Sequence, residues 1–112
     1  MKIAIPLVDN KLSMHFGHCK HFALIDVDQD DKKILQRKDV DAPPHQPGLL
    51  PAWLAERGAN TVIAGGMGQR ALNLFEQHGI QVYLGAPEVS PEDLVHACLA
   101  GTLKSGDNFC DH

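Results

Sequence analysis

The sequence predicts a single α/β domain built on a mixed five-stranded sheet, with elements in the order βββαβαβα. Three observations lead there. Short apolar runs of strand length alternate with segments of helical period. The acidic tetrad Asp28-Gln29-Asp30-Asp31 separates two such runs by no more than a tight turn, so they form a hairpin. In the second half, single helices join successive strands, which makes those strands parallel and their crossovers right-handed.

The elements follow in order. Ile3 to Val8 is an apolar run ended by Asp9-Asn10, and His21 to Val27 is a second, rich in Phe, Leu, Ile and Val. Lys32 to Val40 is the return strand of the hairpin. Three prolines make Asp41 to Gly48, which includes His45, an irregular loop. Leu49, Leu50, Trp53 and Leu54 then recur at helical spacing, Pro51 is tolerable in a first turn, and Gly58 is the stop. Thr61 to Ala64 is a short buried strand and Gly65-Gly66-Met67-Gly68 a turn. Gln69 to His78 is a second helix burying Ala71, Leu72 and Phe75, and Ile80 to Leu84 a last strand. Ser90 caps a third helix, with Pro91 at its first position and Asp93 where a carboxylate favours the helix N-terminus. The domain is expected to span residues 1–104, with 105–112 a flexible tail carrying Cys110 and His112.

Composition excludes several classes. At 112 residues the chain holds one core, and no apolar run approaches the roughly 18 residues of a membrane span. A net charge of -4 gives no basic surface for nucleic acid. The opening apolar stretch is too short for a signal peptide, and three cysteines at irregular spacing, Cys19, Cys98 and Cys110, do not make a disulfide framework. The expected compartment is the cytoplasm. Cys98 falls with Leu94, Val95 and Leu99 on the apolar face of the third helix and is expected in the core.

Chemistry concentrates in His15-Phe16-Gly17-His18-Cys19-Lys20-His21. Imidazole and thiolate suit zinc, copper and iron-sulfur chemistry, so Cys19, His15 and His18 are the candidate metal ligands. If the second strand runs against the others, this loop, the His45 loop, the glycine turn and Gly85-Ala86-Pro87 all open on one sheet edge, where ligands of open α/β sheets bind. In the glycine turn, Gly65, Gly66 and Gly68 let the backbone approach a ligand, and the first N–H groups of the following helix point outward. Arg70 adds a positive charge in that helix's first turn. With Lys20 these groups would hold an anion, and Met67 and Phe16 would offer it a polarisable, apolar wall.

Ile3-Ala4-Ile5-Pro6, His15-Phe16-Gly17 and Gly65-Gly66-Met67-Gly68 with Ala71 together resemble the dinitrogenase iron-molybdenum cofactor biosynthesis family. Its members include NifX, NifY, the carboxyl-terminal part of NifB and the orange protein that holds a molybdenum-copper sulfide cluster. The resemblance runs from residue 2 to about 104. It implies a ribonuclease H-like three-layer α/β/α fold. It also implies a protein that binds, carries or helps assemble a molybdenum-containing metal-sulfur cluster (iron-molybdenum or molybdenum-copper sulfide) and exchanges it with a protein donor or acceptor. The positions carried over are His15, Phe16, Gly17, Gly65, Gly66 and Gly68, whereas His18, Cys19 and His21 are this sequence's own.

Two modes of holding the cluster are open: electrostatic, through amides, Arg70, Lys20 and protonated histidines, or direct ligation of copper or iron by Cys19 and a histidine. The alternative function is a metal-free module using the same edge for a small anion or a protein partner. A ribonuclease H-type hydrolase would need acidic residues on central strands, for which Asp9 and Asp26 are the candidates. Catalysis by Cys19 would need a group to orient its base, and none is recognisable. No catalytic step is expected.

Overall fold

The structure is a computed structural model that describes residues 1–13, 19–43 and 48–101. Its strands are β1 (Lys2–Val8), β2 (Lys11–Leu12), β3 (His21–Asp28), β4 (Lys33–Asp41), β5 (Thr61–Ile63) and β6 (Gln81–Tyr83). The helices are α1 (Leu49–Glu56), α2 (Gln69–Gln77) and α3 (Pro91–Ala100). The mixed α/β class and the element order are as expected, but the sheet has six strands rather than five. The added strand is β2. Asp9 and Asn10 both take left-handed φ, 54° and 64°, so they end β1 in a two-residue turn and send the chain back beside it.

The continuous order is β4-β3-β1-β5-β6, with β3 antiparallel to both neighbours and β5 and β6 parallel to β1. Leu7 pairs with His21 on one side and Leu12 on the other. The hairpin of β1 and β2 therefore fills the place beside β1 that β5 occupies lower down. In the β3–β4 ladder Asp26 faces Gln36 but Val27 faces Ile34, which leaves Leu35 as the extra residue of a bulge, 59% exposed.

Alternation divides the side chains between two cores. Ala4, Phe22, Leu24 and Val62 face one way and pack with Leu54 of α1 and Phe75 of α2. Ile3, Ile5, Leu7, Ala23, Ile25 and Ile63 face the other way and pack with Leu94 and Val95 of α3. Two helices thus cover one face and one covers the other, giving three layers. Cys98 packs at the edge of the second core, in keeping with its place beside Leu94, Val95 and Leu99 on the apolar face of α3.

One side chain ties three segments on the α3 face. Arg37 of β4 donates from Nε and Nη2 to the two Asp39 oxygens at 2.8 and 3.0 Å, from Nη2 to Asn10 Oδ1 at 2.7 Å, and from Nη1 to Glu92 Oε2. The hydrogen bond to Asp39, outweighing the cost of burial and joined by Glu92, holds the guanidinium even more firmly charged than usual.

Candidate functional site

The pairing directions bring the expected loops to one edge. Leu7 lies opposite His21, and His21 lies opposite Asp41, so the end of β1, the start of β3 and the end of β4 are level. The parallel strands β5 and β6 end at the same edge, and the N-termini of all three helices follow from it.

His15, Phe16, Gly17, His18 and His45 lie outside the described residues. Their flanks are well placed. Ser13 N–H donates to the Pro6 carbonyl at 2.8 Å and Lys20 N–H to the Leu7 carbonyl at 3.2 Å. The two feet of the connection between β2 and β3 thus stand on consecutive carbonyls of β1, one on each side of that strand. Cys19 is half-buried and packs against the core of Phe22, Leu54 and Phe75, on the α1 and α2 face. Lys20 is exposed, and its carbonyl accepts from Ala42 N–H at 3.0 Å, which joins the loop after β4 to the same edge. His21 Nε2 stands 3.3 Å from Asp41 Oδ1 at the rim.

The glycine turn divides into a buried and an open half. Gly65 and Gly66 are buried, and Gly65 accepts at its carbonyl from Gly85 N–H at 2.9 Å. Ala64 likewise accepts from Ala86 N–H at 3.3 Å, so this turn and the loop after β6 brace each other. The Met67 side chain is 1% exposed and belongs to the core with Phe75. Gly68, by contrast, is exposed, and a Cβ there would meet nothing within 4 Å. Its φ of -68° suits any L-residue. Neither packing nor backbone strain therefore requires glycine at this position.

Gly68 is the N-cap of α2, and no side chain caps that helix. Its first turn holds no acidic residue, and Arg70 there is exposed. Helix α1 likewise has a glycine N-cap, Gly48, with neither a capping side chain nor an acid in the first turn, but Gly48 is left-handed at φ 80° and Pro51 at the third position removes one N–H. Two helix starts on the Cys19 face thus offer outward N–H groups and positive dipole ends without an internal carboxylate to offset them. An anion at this edge would meet amide donors, Arg70 and Lys20. Among the described residues no group of three or more His, Cys, Asp or Glu converges as a metal site, so a ligand set built on Cys19 would draw on residues outside them, of which His15 and His18 are the sequence candidates.

The open start of α1 was not expected from sequence, although Gly48 directly before the apolar period of Leu49 and Leu50 marks it. The Asp41 partner of His21 was missed as well, because it follows from strand register. Away from this edge, a cavity of about 200 Å³ is lined by Met1, Gln29, Thr61, Gln81, Tyr83, Cys98 and Leu99. Burial pushes the Cys98 thiol up, and burial with the neighbouring Cys98 pushes the Tyr83 phenol up, so both are neutral at physiological pH.

Residues 1–101 match the family model described as dinitrogenase iron-molybdenum cofactor. An uncharacterised protein of Methanocaldococcus jannaschii is 33% identical over 108 residues, covering 93% of this chain and 90% of its own. The crystal structure of PH0822 superimposes with a TM-score of 0.85 at 30% identity, covering 94% of each chain. The apo form of the orange protein from Desulfovibrio gigas gives a TM-score of 0.75 at 21% identity over 96% of this chain and 93% of that one, a likeness of fold. No helix among the described residues is long and apolar enough to cross a membrane.

Proposed function

Because the chain belongs to the dinitrogenase iron-molybdenum cofactor family, we propose that it is a cytoplasmic carrier or assembly partner for an anionic, molybdenum-containing metal-sulfur cluster. The cluster is cargo, taken from one protein and passed to another, and the carrier performs no catalytic step on it. The ribonuclease H-like assignment belongs to the same reading, supported by the strand order and the reversed β3.

The observation that carries this reading is the start of α2. An exposed glycine stands where the fold does not demand one, uncapped and without an acid, beside Arg70 and at the same edge as Cys19 and Lys20. Amides aimed at a developing or bound negative charge cost no reorganisation when the ligand arrives. Charge and hydrogen bonding hold a thiometallate without four covalent ligands, which leaves it transferable. Cys19, with histidines of residues 14–18, would supply direct copper or iron ligation in the second mode.

The test is metal and sulfide analysis with a visible spectrum on protein purified anaerobically from its source, then on apo-protein mixed with tetrathiomolybdate and copper or iron. Stoichiometric metal and sulfide with visible bands is the expected result, and Cys19→Ser then separates direct ligation from electrostatic holding. A protein that stays colourless in both preparations refutes the cluster reading and leaves the metal-free anion or interaction module.

A further inference from the structure

The hairpin of β1 and β2 feeds the chain directly into residues 14–18, yet little of its own structure fixes it. Strand β2 has two residues and two paired positions on β1, too few for independent stability. Its described supports from outside are the buried Leu12 side chain, the Leu12 N–H bond to the Val89 carbonyl at 3.2 Å, and Arg37.

Arg37 is built to be a fixed point. The fork to Asp39 sets the guanidinium plane, Glu92 in the first turn of α3 holds another edge, and the second N–H of Nη2 reaches Asn10 at 2.7 Å. Asn10 occupies a left-handed position where glycine would serve the turn at least as well. What asparagine adds there is the acceptor oxygen. We propose that Arg37 is a positioning residue for the candidate site, latching the hairpin through Asn10 to β4 and α3 and so fixing Ser13, the foot that stands on β1 at the edge shared with Cys19 and Lys20. The consequence for cargo rests on the function proposed above, whereas the latch itself does not.

Two substitutions separate the contact from the turn. Asn10→Gly keeps the left-handed turn and removes the acceptor; Asn10→Asp keeps an acceptor and tolerates the same φ. Amide hydrogen exchange at Leu12 and Ser13 is measured by NMR, beside the visible titration of each apo-protein with copper and tetrathiomolybdate. In Asn10→Gly both amides are expected to exchange about tenfold faster and cargo affinity to fall about tenfold, the scale of one hydrogen bond to a charged group. Asn10→Asp is expected to restore both. Unchanged exchange in Asn10→Gly overturns the latch, and faster exchange with unchanged affinity overturns its bearing on the site. If wild-type protein takes up no cargo, the function proposed above fails while the exchange comparison still decides the latch.

Discussion

Helices α2 and α3 start at the same edge of the sheet and differ in length by one residue, 9 against 10, yet their first turns are opposites. At α3 the chain completes itself. Ser90 Oγ accepts from Asp93 N–H at 3.4 Å, Pro91 removes an amide that would need a partner, and Glu92 and Asp93 offset the dipole. At α2 none of this is present. The N-cap is Gly68, the first turn has no acid, and the charge it does carry is Arg70, whose sign adds to the helix end instead of opposing it. One sequence thus contains both a finished helix start and an open one on opposite faces of the same sheet. The contrast separates residues chosen for stability from a position where stability has been given up.

The sharpest way to break the contrast is to finish α2 as α3 is finished. Gly68→Asp fits the backbone and the open space, so it should raise stability by roughly 0.5–1 kcal/mol while lowering affinity for an anionic cluster at least about tenfold. Thermal denaturation beside a visible titration reads both signs, and a stabilised variant with undiminished binding would remove α2 from the site. The reverse change, Ser90→Ala, should cost roughly 0.5–1 kcal/mol, a fall in Tm of about 4 °C, and leave cluster affinity unaltered. Loss of binding there would show that the two faces are coupled. Smallest is Arg70→Ala, for which an exposed charge predicts about a threefold loss of affinity that shrinks further in high salt. Full retention in low salt would argue for ligation by Cys19 over electrostatic holding.

Much of this was legible because local chemistry and tertiary structure agree. Ser90-Pro91 with Asp93 marks the start of α3 to the residue, and Asp28 turns β3 into β4 by accepting from Asp30 and Asp31 N–H at 2.9 and 3.1 Å. The gathering of loops at one edge followed from the order of elements and the handedness of crossovers. Strand β2 escaped because two residues have no period; its signal was the turn-forming pair Asp9-Asn10, which also suits a simple strand end. Leu35 lies in a run, Lys32 to Val40, that alternates less cleanly than the other strands, and register places the bulge there. The Arg37 cluster could not be read at all, since it joins residues separated by 27 and 55 positions through side chains with ordinary surface chemistry. In the glycine turn, Gly65, Gly66 and Met67 are buried and Gly68 is exposed, a division that the run of glycines does not itself display.

The two feet at Ser13 and Lys20 bear on how this edge can diversify. Because they stand on neighbouring carbonyls of one strand, about two strand spacings or roughly 10 Å apart, any connection of modest length can bridge them. Doubling such a span costs only about 0.6 kcal/mol in closure entropy, so insertions and rewritten sequence between the feet are nearly neutral to folding. Selection can therefore rewrite the contents of that span while the sheet beneath is inherited unchanged.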